Sequence, residues 1–178
     1  MSRRQCKPNF SHPAFAAVHE LGLPEQDEVV LNHSVALDIY GVLDRTPSDI
    51  DGSISSANVR YLRQEKGFLV ARKIVGQFAN GVSRKVLVTY GEREGNVFDL
   101  HRWDWSQDMY NREGAGRIYL SQQKQFAAQD PVTGIWVAKP EYVLGTKIST
   151  HRTIDQEDVC RIVERYGIVP LHLSRASL

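Results

Sequence analysis

Val29–Gly52, VVLNHSVALDIYGVLDRTPSDIDG, is the stretch on which the fold turns. Val29–Leu31 is apolar and strand-like, and Ser34–Tyr40 has the spacing of a short helix with Ala36, Leu37 and Tyr40 on one side. An arginine-bearing loop follows, and Ser48–Gly52 reads as a second strand ending on two aspartates. Asp49 and Asp51 flank Ile50, and side chains two apart on a strand point to the same side. Two carboxylates converging on one face repel each other unless a cation sits between them. Mg²⁺ is the natural guest, because it prefers hard oxygen ligands and arrives with substrate phosphates. Two such ions about 3.5–4 Å apart clamp the attacking and leaving oxygens of a phosphoryl or nucleotidyl displacement.

The rest of the composition narrows the class. At 178 residues, with 42% hydrophobic and 24% charged residues, the chain has enough apolar content for one packed domain. Lys plus Arg total 22 against 21 Asp plus Glu, so no global charge advertises a nucleic-acid binder, and any basic patch must be local. No apolar run is long enough for a membrane span, and MSRRQCKPNF has no apolar segment behind its basic residues, unlike a secretory signal. Cys6 and Cys160 give neither a disulfide framework nor zinc spacing, which places the chain in the reducing cytoplasm. P-loop and Rossmann glycine patterns are missing, as is an H-x-x-x-H pair among six histidines.

Along the chain, residues 1–12 read as a loose tail and 13–178 as a single α+β domain without repeats or linkers. Helices are expected at 12–22, at Ser55–Lys66 with a serine N-cap and Gly67 as terminator, at Pro140–Ser149 and at Asp155–Tyr166. Strands are expected at Asp27–Leu31, at a hairpin of Phe68–Val75 with Arg84–Tyr90, at Asn96–Arg102 ending near Asp99, at Arg117–Ser121 and at Ile135–Ala138. Arg60, Arg63 and Lys66 form a basic stripe at helical spacing, by default a solvated face and otherwise an RNA-phosphate contact. Trp103 and Trp105 read as packing residues more readily than as base-stacking ones.

A lone D-x-D pair also suits a surface turn. Context adds Arg45 four residues before Asp49, Asp99 on a later strand, and Lys147 followed by Arg152, Asp155 and Asp158. HSVALDIYGVLDRTPSDID resembles the opening motif of the nucleotidyltransferase fold of the DNA polymerase β superfamily: a Gly-[Gly/Ser] pair, a short helix, then Arg-x-[Ser/Thr]-x-Asp-[Ile/Leu]-Asp. NVFDLH resembles its third-carboxylate strand, and KPEYVLGTKISTHRTIDQEDVCRI the later signature of the AbiE-type toxin branch. The resemblance covers roughly Val29–Arg161.

It implies an α+β fold with a small mixed sheet flanked by helices. It further implies a two-ion Mg²⁺ site on Asp49, Asp51 and Asp99, with Asp99 also placed to activate the acceptor hydroxyl. Ser34 and Arg45 would seat the phosphates, and Lys147, with Arg152 near it, would contact triphosphate or acceptor. The substrates implied are an NTP and an RNA acceptor, favourably tRNA, in a toxin–antitoxin or phage-defence setting with a cognate antitoxin. Asp155 reads instead as an N-terminal helix residue complementing the dipole. One position departs from the pattern: the first glycine is His33. A histidine there is bulkier than glycine and poorly suited to a left-handed backbone. It is either an extra phosphate contact, a structural residue, or the mark of a degenerate site. Two competitors follow: a small-molecule (antibiotic) nucleotidyltransferase, and a non-catalytic nucleotide-binding or interaction module.

Overall fold

Among the described residues, seven strands form one mixed sheet in the order β3-β4-β5-β2-β1-β7-β6. They are β1 Val29–Leu31, β2 Ile50–Ile54, β3 Leu69–Gln77, β4 Ser83–Arg93, β5 Asn96–Arg102, β6 Ala127–Gln129 and β7 Trp136–Ala138. The helices are α1 Pro13–His19, α2 His33–Ile39, α3 Ser56–Glu65, α4 Leu120–Gln125, α5 Pro140–Ile148 and α6 Thr153–Tyr166. This computed structural model describes residues 7–77, 83–102, 120–148 and 152–167. Among them, no helix is long and apolar enough to cross a membrane.

The centre of the sheet positions the chemistry. β2 pairs antiparallel with β1, Leu31 opposite Gly52, and parallel with β5, Asp51 opposite Asp99. Alternation then sorts the side chains. Ile50, Ile54, Phe98 and Leu100 turn to the apolar side and are buried, each contributing about 1.5–3 kcal/mol by leaving water. Asp51, Ser53, Asp99 and His101 occupy the other side of the same two strands. Gly91 on β4, opposite Phe98, leaves room for Phe68; a Cβ there would collide with its ring.

The expected α+β arrangement, a mixed sheet flanked by helices, is what the chain adopts. Helix α3 begins where its serine predicts: Ser55 Oγ accepts from the Asn58 amide at 3.2 Å. Several boundaries differ. Gln26–Glu28 form a 3₁₀ turn, so the first strand is only Val29–Leu31. The aspartates lie at the start of β2 instead of its end, Asp49 in the bend before it and Asp51 second within it. Pairing starts at Ile50 opposite Phe98 and runs on to the fully buried Ile54, while Pro47 keeps the approach in a loop. Asp99 sits mid-strand in β5. Leu120 and Ser121 belong to α4, not a strand; LSQQKQ is built of helix formers and has no β-branched residue. The remainder of that expected strand and both Trp103 and Trp105 lie outside the described residues. Part of the expected tail is anchored: Asn9 N donates to Ile39 O at 2.9 Å, His12 caps α1, and Phe10 meets Phe15 edge-on.

Candidate active site

The polar side of β2 and β5 gathers three carboxylates. One oxygen from each of Asp49, Asp51 and Asp99 lies within 4.8 Å of the others. Asp51 faces this side from β2, Asp49 reaches it from the bend just before that strand, and Asp99 joins them because β5 runs parallel beside β2 with Asp51 opposite Asp99. Ser48 Oγ donates to Asp49 Oδ1 at 2.9 Å, and His101 Nε2 lies 3.1 Å from Asp99 Oδ1, so two of the three are oriented from behind. Asp99 is 8% exposed, whereas Asp49 and Asp51 are half-buried and open to a ligand. An octahedral ion with oxygens at about 2.0–2.1 Å holds adjacent ligands about 3 Å apart and opposite ones about 4 Å apart. An all-carboxylate set at this spacing therefore suits a hard divalent cation after a small closure, and does not suit a soft metal.

The junction between β1 and α2 borders this centre. Asn32 N donates to Asp51 O at 3.0 Å, fastening the start of α2 to the aspartate strand. His33 then takes φ 51°, the left-handed region that favours glycine. Its ring centroid is 6.3 Å from that of His101. Burial foremost, then the charges of His101 and Lys147, lower its pKa from 6.5 to about 4, although part of its surface reaches solvent. His33 is thus a neutral ring at the edge of the carboxylates.

A second cluster joins the loop before β2 to the last two helices. Lys147, 3% exposed, directs Nζ at Asp155 Oδ1 (2.7 Å) and Asp158 Oδ2 (2.9 Å), both aspartates fully buried. Arg45 Nη2 donates to both oxygens of Asp158 at 2.9 and 3.2 Å and to Ser34 Oγ at 3.4 Å. Its buried Nε has no hydrogen-bond partner among the described residues. Arg152 forks onto Asp155 at 2.6 and 3.1 Å. That hydrogen bond holds its pKa above the ordinary arginine value, with further contributions from the fields of Asp51 and Asp49. The largely exposed Arg152 guanidinium therefore stands on the carboxylate side, tying the two clusters together.

Of the residues singled out from sequence, Asp49, Asp51 and Asp99 come together as one centre. Ser34, Arg45, Lys147 and Arg152 come together in the ionic cluster beside it. Asp155 is not merely a helix-start residue. The N-cap is Arg152, without a side-chain cap bond, and Asp155 lies in the first turn as a buried counter-ion. Its carboxylate still complements the helix dipole. Sequence reasoning passed over His101, although its position two residues after Asp99 on an alternating strand puts it on the same side. It also missed Asn32, whose Nδ2 donates to Ser53 Oγ (2.9 Å) and Gln123 Oε1 (3.1 Å), pinning α4 over the same side of the sheet. Nothing local signals that last contact, which spans 91 residues.

No protein-family model and no curated protein sequence matches the chain. Among solved structures it is similar to ANT(2")-Ia in complex with adenylyl-2"-tobramycin, with 13% sequence identity and a TM-score of 0.37 over 86% of each chain.

Proposed function

We propose that this chain is a Mg²⁺-dependent nucleotidyltransferase that moves a nucleoside monophosphate from an NTP to a hydroxyl of RNA, with tRNA ends the favoured acceptor. One observation carries the proposal: three carboxylate oxygens within 4.8 Å, from Asp51 and Asp99 on adjacent parallel strands and Asp49 just before the first of them, with basic side chains at one edge. Mg²⁺ bound there would neutralise phosphate charge and lower the pKa of the attacking hydroxyl. Asp49 and Asp51 are the residues that would hold it between protein and triphosphate, with Asp99 completing the set. Asp99 also takes the acceptor proton as the hydroxyl oxygen bonds to the α-phosphorus. The bond from that phosphorus to its β-bridging oxygen breaks, and pyrophosphate leaves. Arg152, largely exposed, is suited to the β- and γ-phosphates, with Arg45 and Ser34 in contact beside it as the phosphate seat.

Lys147 enters differently in this account. Its ammonium already faces two buried carboxylates, so it acts by fixing Arg45 and Arg152 through Asp158 and Asp155. Positioning of this kind supplies much of the rate in nucleotidyl transfer. His33, neutral and left-handed, borders the carboxylates beside His101. The resemblance of the α5–α6 segment to the AbiE-type branch supports the RNA acceptor over a drug, and adds an antitoxin as a partner.

The test is transfer of α-labelled NTPs, one base at a time in Mg²⁺, onto total RNA and onto a panel of aminoglycosides and lincosamides, with Asp51→Asn as control. Label on RNA from wild type alone is expected. Label on a drug with RNA untouched would replace the acceptor, and no label from folded protein would favour a non-catalytic module.

A further inference from the structure

A second basic feature lies on the opposite side of the sheet from the carboxylates. Helix α3 turns a stripe at i, i+3, i+4 and i+7 towards β3, β4 and β5, and a groove of about 470 Å³ opens between them. Val59, Val70 and Leu87 form its apolar floor, while Arg60, Arg63 and Arg102 rim it. Among the described residues, no carboxylate lines it. Arg60 and Arg63 are exposed and in no ion pair among the described residues. Lys66, the third member of the helical stripe read from sequence, instead rests its Nζ 5.6 Å above the Tyr61 ring. Arg102 comes from a different element, opposite Ile54 at the far end of β5. It lies three residue steps along the strand from Asp99, about 10 Å.

We infer that this groove binds the phosphodiester backbone of the acceptor RNA, away from the reacting end. The inference rests on the RNA-acceptor reading above and adds the surface that would hold the body of that acceptor. Arg60 and Arg63, one helical turn apart, present two guanidinium forks at about 5–6 Å between Cβ atoms, a spacing suited to neighbouring phosphates. The apolar floor suits ribose and base faces, which an ammonium-lined surface would not accommodate as well. With a formal charge of only +1 for the whole chain, Arg60 and Arg63 beside Arg102, around a groove that no described carboxylate lines, are a local concentration of positive charge. RNA reaching the carboxylate centre would pass the end of β5 to enter it.

The experiment measures fluorescence anisotropy of labelled tRNA against wild type and Arg60→Ala/Arg63→Ala across a salt series. Thermal melting confirms the fold, and Mg²⁺–NTP titration and label transfer to a trinucleotide acceptor report on the carboxylate centre. The expected result is at least a tenfold loss of tRNA affinity in the double variant. The slope of log K against log salt should flatten by about 1.4, two contacts at about 0.7 each. NTP binding and trinucleotide labelling should persist. Equal tRNA affinity and slope in the two proteins, with trinucleotide labelling intact, would overturn the groove and leave the proposed function standing. Polyglutamate displacing tRNA as well as unlabelled tRNA does would also overturn it, in favour of an acidic polypeptide. If wild type neither binds tRNA nor labels any RNA yet labels a drug, the acceptor reading fails and the groove fails with it.

Discussion

His33 is the residue at which backbone and chemistry pull apart. A non-glycine residue at φ 51° bears a steric cost of about 1–2 kcal/mol, and only the fixed surroundings of Asn32 and α2 hold it there. His33→Gly should therefore keep the fold, and the relief of strain should roughly offset the greater freedom glycine gives the unfolded chain. The acid limb should differ more clearly. The folded pKa of about 4 lies below the unfolded 6.5, so the unfolded chain takes up the proton first. Stability tied to His33 is complete above pH 6.5 and is lost as pH falls towards 4. Urea midpoints at pH 7 and pH 4.5 should accordingly fall less in His33→Gly than in wild type; equal falls would contradict the neutral, enclosed ring. His101 acts one step behind the carboxylates. His101→Ala frees Asp99 from its 3.1 Å partner and should weaken Mg²⁺ affinity about 10–100-fold by titration, without lowering the melting temperature comparably. The Asp49–Asp51 pair was legible in sequence because strand alternation is local. His101, two residues after Asp99 on an alternating strand, offered the same kind of signal and was passed over.

At the scale of elements, the joint between α5 and α6 depends on buried charge. Asp158 is fully buried between Lys147, Arg45 and Arg161. Asp158→Ala would leave an enclosed ammonium without one of its two aspartates, and should cost about 3–5 kcal/mol in urea denaturation. A loss under 1 kcal/mol would mean that solvent screens the cluster. Gly91→Ala forces a Cβ into the Phe68 ring and should cost about 1–3 kcal/mol through overpacking, read as a lower midpoint at unchanged m. Elements with strong local punctuation were readable: α3 from its serine cap and Gly67, β5 from its alternation, the β3–β4 hairpin from its flanking runs. Those without it were not. Three-residue β6 exists because β7 is there to pair with it, and the partners of Lys147 lie on another helix, where pairing cannot be seen in a linear pattern.

For the whole molecule, the site depends on topology. Asp99 reaches Asp51 only because β5 returns through the β3–β4 hairpin to lie parallel to β2. Periodicity supplied the face of each strand, and the parallel register supplied the meeting. The arginine groove was hidden for the same reason. The sequence showed Arg60 and Arg63 on one helix, whereas Arg102 joins them across the sheet and Lys66 turns away. The most direct measurement is calorimetric titration of NTP into wild type and Asp51→Asn, each with Mg²⁺ and with EDTA. Binding by wild type only in Mg²⁺, lost in a folded Asp51→Asn, is the result predicted for a carboxylate-held cation that receives the triphosphate. Binding that persists in EDTA, or that Asp51→Asn leaves unchanged, would contradict it.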